Sequence, residues 1–497
     1  MSRKPLCALA ALFLALASSA AAPEPAAFTY TPAIEKALNR ISADSLRGNL
    51  SFLASDLLEG RDTASRGLDL AAEYIAAQFR KAGLEPAGGD GYFQNADFRL
   101  VEPRPETLEL TFEQGGQIIV AREVILYSTA ALAIRRAPAA VVSLDEKAPL
   151  PEAASVAGKV LFADWPSRAG ASTRRRVQAL RALGPALVVT LDPAKVPHQD
   201  RPLRRLVDAS EPAAGAPWIT VRDEALAKAV HAGAAGAVVS ARMDAPVETP
   251  VKLRNVVGVL RGSDPALRDT CVLVTAHYDH IGQKPGCTEG DCIFNGANDN
   301  GSGAVSVIEI ANALAALDRH PRRSIVFVAF FGEERGLLGS RYYARHPVFP
   351  LSKTVADLNL EQLGRTDSGD GPQVNTASFT GFKYSDMPKV FQAAGKLTGI
   401  KVGDGGAPNT YFSQSDNVVF AGAGIPAHTV CVAFTFPDYH GLADHWQKID
   451  YANMARVDRM LALGVMMLAG NPAPPQWNEM EPGAAPYVRP RTEARKP

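Results

Sequence analysis

Between Asn255 and Gly364 the chain repeats one pattern: a continuous apolar run, a polar strand end, then an amphipathic stretch. The runs are NVVGVL, TCVLVTAH, RSIVFVAFFG and TVADLNL, with helical spacing over 303–317 and 337–346. Runs that are apolar on both faces need cover on both faces, which predicts a mainly parallel sheet between helical layers. The expected fold is therefore α/β, a mostly parallel central sheet covered by helices on both faces. On such a sheet functional residues gather at the carboxyl ends of the strands.

The rest of the chain divides by composition. Its 497 residues suit two or three domains. Arg3 and Lys4 precede an apolar run over 6–17, and Ala20 and Ala22 stand in an A-x-A arrangement before Pro23. This predicts a signal peptide over 1–22 and an exported protein, periplasmic or secreted. Residues 28–127 read as the first part of the main domain. Helices are expected over 33–83, with Ser42 and Asp44 as caps and Gly83 as a stop, then strands at 107–112 and 117–127. Residues 128–248 are rich in Ala, Val and Pro, carry short apolar strands and hold no cluster of His and acids. They read as an inserted, smaller α/β domain. Residues 249–470 form the second part of the main domain, and 471–497 a Pro-rich tail expected to be extended or disordered.

Two classes of partner are disfavoured. Lys plus Arg equals 52 and Asp plus Glu equals 52, so no global field favours nucleic acid. After the first segment no apolar run approaches the roughly 20 residues of a membrane span, so no stable membrane anchor is expected. The pattern specifies no oligomeric state. Export permits disulfides, and Cys287 and Cys292 in GCTEGDC are placed to close a small ring. Cys271 and Cys431 lie within strand-like runs and read as buried apolar residues.

Polar residues close each apolar run. In the strand end AHYDHIG, alternation puts His277 and Asp279 on one side, where Asp279 holds the imidazole, and sends His280 the other way. The segment NGANDNGSG predicts a tight turn before a helix, with Asp299 in the turn. It is no calcium loop, since aligning Gly301 with the invariant glycine puts Gly296 and Val307 at the outer ligand positions. Glu333 and Glu334 follow the third run and Glu361 the fourth; His440 lies in FPDYHGLADH. Two zinc ions held about 3.5–4 Å apart need a bridging carboxylate with ligands on either side. Two His and three carboxylates meet that need with Asp299 as the bridge, and Glu333 remains free to act as general base. Neither H-E-x-x-H nor G-x-S-x-G occurs.

In order and spacing these segments resemble the co-catalytic dizinc aminopeptidase family, whose fold is shared with the glutamate carboxypeptidase and transferrin receptor ectodomains. The resemblance spans about 250–470, and LLEGR and GYFQ near the start are similar as well. It implies one zinc on Asp299, Glu334 and His440 and another on His277, Asp299 and Glu361. Glu333 is then the general base and Asp279 the partner of His277. Segment 128–248 resembles a protease-associated domain. Ser415 and Asp416, in YFSQSDNVVFAGAGIPA, match a segment lining the family's pocket, and Tyr411 is placed to donate to an oxyanion. The implied function is an exported dizinc peptidase, an aminopeptidase that cleaves peptides with metal-activated water. Glu361 is a departure, because the family's aminopeptidases carry Asp there while carboxypeptidase relatives can carry Glu. That keeps a carboxypeptidase or another amidohydrolase of the clan as an alternative. A single-zinc glutaminyl cyclase and a metal-free receptor-like binding protein are further alternatives.

Overall fold

The structure, a computed structural model, describes residues 28–488 apart from 168, 193–203, 211–214, 370 and 407–408. The expected signal segment, 1–22, lies outside the described residues. Among the described residues no helix is long and apolar enough to cross a membrane.

The larger sheet is built from β1 (Phe93–Glu102), β2 (Arg205–Asp208), β3 (Val247–Leu260), β4 (Cys271–His277) and β5 (Ser324–Phe330). It is completed by β6 (Thr354–Leu360), β7 (Thr376–Phe379), β8 (Lys401–Gly403) and β9 (Ala427–Cys431). The strands lie in the order β8–β7–β9–β6–β4–β5–β3–β1–β2, and the short Glu85–Pro86 strand pairs with β3. The centre, β5–β4–β6–β9, is parallel. The flanks are mixed: β3 and β1 are antiparallel to their neighbours, as is β7 against β9. The mostly parallel sheet read from the sequence therefore describes the centre. The centre is covered on both faces and made of unbroken apolar runs, whereas β1 alternates in burial along its length.

Alternation within β4 and β5 feeds two cores. Val272, Val274, Ile325 and Phe327 face one side with α1 (Ala43–Leu53), α2 (Arg66–Ala82), α3 (Gly303–Ala315) and the C-terminal helix Tyr451–Gly470. Leu273, Val326 and Val328 face the other, with Tyr343, Phe420 and Trp477. The helix starts follow the sequence: Ser42 accepts from the Ser45 N–H, and α2 ends at Gly83 with φ +77°.

Two expectations are corrected. The second sheet runs Gln117–Val120, Glu109–Gln114, Val238–Met243, Leu132–Val141, Val160–Asp164, Leu187–Leu191, Trp218–Val221 and Val124–Leu126. The strands of 107–127, assigned above to the main domain, thus belong to this unit, which has its own core around Phe112, Phe162 and Val189. The boundary moves from 128 to about 109 because these short strands pair with the insert's Val238–Met243 and Trp218–Val221. The insert also returns β2 to the main sheet, beside β1. The tail is the second correction. Through residue 488 it is packed rather than disordered: Trp477 is buried, its Nε1 donates to Gly424 O, and its ring lies 5.6 Å from Tyr487. Aromatic burial holds a Pro-rich chain in place as well as any other.

Candidate metal centre

Every strand of the parallel centre except β9 ends at a charged group. His277 is the last residue of β4, Glu361 follows β6, and Glu333 and Glu334 follow β5 after Phe331 and Gly332. Asp299 sits in the turn Ala297–Ser302 before α3, where the Asp299–Asn300 peptide is cis. The turn is tied down from three sides. The Asp444 carboxylate receives the N–H groups of Asn298 and Asp299 at 3.0 and 3.1 Å. Asn300 Nδ2 donates to Leu360 O at 2.9 Å, and Asn298 Oδ1 accepts from the Gly364 N–H at 2.8 Å. Beneath the turn the buried Arg61 donates to the carbonyls of Tyr278, Asn295 and Gly296 at 2.8–2.9 Å. Burial lowers the Arg61 pKa to about 10, opposed by Asp279, Asp444, Asp299 and Glu334.

The predicted donors converge. His277 Nε2 lies 3.5 Å from Asp299 Oδ1, 3.8 Å from Glu361 Oε1 and 4.0 Å from Glu333 Oε2. His440 Nε2 lies 3.0 Å from Asp299 Oδ2 and 3.3 Å from Glu334 Oε1. Asp299 thus faces one imidazole with each oxygen. Burial opposes its ionisation, yet His277 and His440 beside it hold its carboxyl far below the usual range. Burial pushes Glu333 well above that range, with Glu361 and Asp416 adding to the rise against His277, and pushes Glu361 up to about 7.

His280 corrects the sequence reading. Alternation stops when β4 stops at His277, and the His280 N–H bonds Arg61 O, forming a bridge to the segment at Asp62. The turned chain brings the His280 ring back to the acids, with Nδ1 2.9 Å from Glu334 Oε1. Ser415 lines the cavity as expected, whereas Asp416 does not. Ser415 Oγ bonds Glu361, and Asp416 is buried with its carboxylate on the Ser340 hydroxyl. Tyr411 does line the cavity, stacked on Phe434 with ring centroids 5.2 Å apart. Cys287 and Cys292 are disulfide-bonded, and Cys271 and Cys431 are free and buried. Thr63 and Arg61 carry no signal in the sequence beyond the segment LLEGR, which ends at Arg61, whereas Asp444 stands in FPDYHGLADH beside His440.

The donor set fits a divalent cation. Asp299 Oδ2 and Glu334 Oε1 are buried, and the imidazole nitrogens of His280 and His440 face both, at 2.9–4.0 Å. Carboxylates buried together are costly unless cationic charge receives them, and His280, Asp299 and Glu334 bring their donor atoms close enough to share one metal ion. Imidazole with carboxylate is a zinc-type set.

A buried His–carboxylate centre at the strand ends of an α/β sheet defines a metallohydrolase class. Residues 255–465 match the profile of peptidase family M28. Aminopeptidase YwaD of Bacillus subtilis is 30% identical over 174 residues, 35% of this chain and 34% of that protein. A probable zinc metalloprotease of Pyrenophora teres f. teres is 35% identical over 122 residues, 24% of this chain and 25% of that protein. The chain thus spans a quarter to a third of the length of these relatives. In fold it is similar to an aminopeptidase from Aneurinibacillus sp. strain AM-1, with TM-score 0.57 and 19% identity, over 90% of this chain and 98% of that one.

Proposed function

We propose that the protein is an exported zinc aminopeptidase with two zinc ions per chain, releasing N-terminal residues from peptides. The observation that carries this reading is the cavity itself, about 170 Å³, lined by His277, Asp299, Glu333, Glu334, Glu361 and His440 and by no Lys or Arg. A carboxypeptidase needs a side-chain cation for the substrate's terminal carboxylate, and among the described residues this lining supplies none. Asp299, Glu334 and His440 hold one zinc, and His277, Asp299 and Glu361 the other. When bound, the ions polarise the scissile carbonyl and acidify the attacking water.

The chain's own groups do the rest. Glu333 faces the cavity, its Oε2 4.0 Å from His277 Nε2, and burial raises the pKa of its carboxyl, which strengthens it as a proton acceptor. It accepts the water proton and delivers it to the leaving amine. Tyr411, in the cavity lining, serves as a donor to the developing oxyanion. The second sheet, which lies apart from this centre, serves as a protease-associated module. The Cys287–Cys292 bridge and the N-terminal pattern support export.

The test is trimming of one peptide blocked at its N-terminus against the same peptide blocked at its C-terminus, with and without chelator. Cleavage only of the peptide with a free N-terminus, abolished by chelator and restored by zinc, is the expected result. Cleavage of the N-blocked peptide alone would replace the proposal with a carboxypeptidase.

A further inference from the structure

Of the proposed zinc donors, His440 is held least by burial. Its side chain is 38% exposed, against 12% or less for His277, Asp299, Glu334 and Glu361. It lies in the irregular stretch between β9 and Trp446 with φ +52°, a left-handed conformation that a residue with a Cβ holds only where its surroundings impose it. The turn around it is tight: the Gly441 N–H donates to Asp438 O at 2.8 Å, and a Cβ on Gly441 would come within 2.9 Å of that oxygen. The His440 ring stacks on Tyr439, itself half exposed, with centroids 4.0 Å apart. Packing alone does not set where this imidazole points.

Two residues before it, Asp438 Oδ2 accepts from Arg365 Nη1 at 2.8 Å and from Lys448 Nζ at 2.9 Å. Lys448 is exposed, whereas Arg365 is buried and its fork is fixed from behind. Nε and Nη2 donate to the two oxygens of Asp367, Nε at 2.7 Å, and the guanidinium lies 5.3 Å from the Phe436 ring centroid. The main chain of Arg365 is tied to the other side of the site. Its N–H donates to Asn298 Oδ1 at 3.1 Å, beside Asp299, on the same oxygen that accepts from the Gly364 N–H.

We propose that Arg365 is a positioning residue for the zinc held by Asp299, Glu334 and His440. One residue spans the two segments whose side chains meet there, its main chain on the Asp299 turn and its side chain on the His440 loop. A guanidinium with three of its donors engaged has a fixed direction, which an ammonium on a flexible stem lacks. A buried arginine is also little screened by water and salt, unlike the exposed Lys448 on the same oxygen. His277 and Glu361, at the ends of β4 and β6, are carried by the sheet itself and need no such tie. Arg365 therefore acts on one zinc position and not on the other, through Asp438 and His440.

This inference rests on the zinc reading above, and the experiment separates the two. Zinc is titrated in competition with a chromophoric chelator against wild type, Arg365→Ala, Asp438→Ala, His440→Ala and the double variant Asp438→Ala with His440→Ala. Arg365→Ala and Asp438→Ala are each expected to weaken one zinc site by at least about tenfold and to leave the other within about twofold. In the double variant the loss is expected to be no greater than in His440→Ala alone, because Asp438 acts through that imidazole. A merely structural ion pair would weaken both sites together, or add its loss to that of His440→Ala. Asp438→Ala leaves Arg365 on Asp367, so it reads the contact even where Arg365→Ala fails to fold. Wild type that takes up no zinc overturns the zinc reading and this inference with it. Wild type that binds zinc, with unchanged affinity in Asp438→Ala or additive losses in the double variant, overturns the inference alone.

Discussion

Asp279 Oδ1 accepts the backbone N–H of Glu333 at 3.0 Å, so the loop after β4 fixes the loop after β5. Its Oδ2 accepts from the Thr63 hydroxyl at 2.9 Å. The carboxylate stands farther from His277, at 3.6 Å from Nδ1, and that nitrogen lies closer to the Asp279 backbone carbonyl, at 3.2 Å. Asp279 is thus chiefly a clamp on the Glu333 loop, with the imidazole oriented by its main chain.

This makes the two substitutions at 279 unequal. Asp279→Asn keeps an oxygen for the Glu333 N–H and retains kcat/KM within several-fold. Asp279→Ala releases the loop and loses about 10–100-fold. Steady-state kinetics on both variants decide it; equal losses would contradict the clamp.

Glu333→Gln keeps the shape of the cavity wall and removes the proton acceptor. Zinc content is expected to stay at the wild-type level while kcat falls by at least about 10²-fold. Elemental analysis and kinetics on one preparation check this. Near-normal turnover would remove Glu333 from the mechanism.

Ser415 supports Glu361 by a counting argument. Its hydroxyl oxygen accepts from Asn359 Nδ2 at 2.8 Å and from the Asp416 N–H at 2.6 Å, so its one proton is left for Glu361 Oε1. Glu361→Ala is expected to lower zinc content, and Ser415→Ala to weaken zinc binding by about tenfold without changing the maximum bound. Metal titration of both reads the outcome. Full affinity in Ser415→Ala would show that Glu361 orients itself.

What the sequence discloses follows the range of the forces involved. His277, Glu333, Glu334 and Glu361 are legible because each closes an apolar run, and a polar residue at the end of a buried strand stands out against its neighbours. His280 is misread because strand alternation is a rule for extended chain, and the pull of Arg61 O on its N–H is a contact across 219 positions. Arg61 and Thr63 are missed for the same reason: their partners are backbone carbonyls and the Asp279 carboxylate, brought near only by the fold. The early strands 107–127 are found as strands but assigned to the wrong sheet, since local pattern specifies a strand and not its partner.

Trp477 offers a test of the packed tail. Its ring meets Phe412, His428 and Tyr487, and its Nε1 bonds Gly424 O. Trp477→Ala is expected to cost about 3–5 kcal/mol in chemical denaturation, the range for large aromatic truncations in a core. Removal of all residues after Gly470 should cost at least as much. A loss under about 1 kcal/mol in both would mean that the tail lies on the surface without supporting it.

His428 beside that ring gives the chain a definite acid sensitivity. It is fully buried, Nδ1 meets Thr380 O at 2.8 Å and Nε2 meets Ser385 Oγ at 2.6 Å. With Nδ1 as donor and Nε2 as acceptor, the neutral ring satisfies both contacts. Burial lowers its pKa to about 4, against a smaller opposing effect of the Thr380 carbonyl. In the unfolded chain the ring protonates near pH 6.5. The unfolded state therefore binds more protons between those values, and stability falls as pH drops through that window. The full contribution is present above about pH 6.5, and about 3 kcal/mol of it is gone by pH 4. Urea denaturation of wild type and His428→Gln at pH 7 and pH 4.5, both in excess chelator so that zinc release does not enter, measures this. The gap between the two proteins is expected to narrow at the lower pH, because the glutamine has no proton to take up; a gap that stays constant would mean that His428 is protonated in the fold.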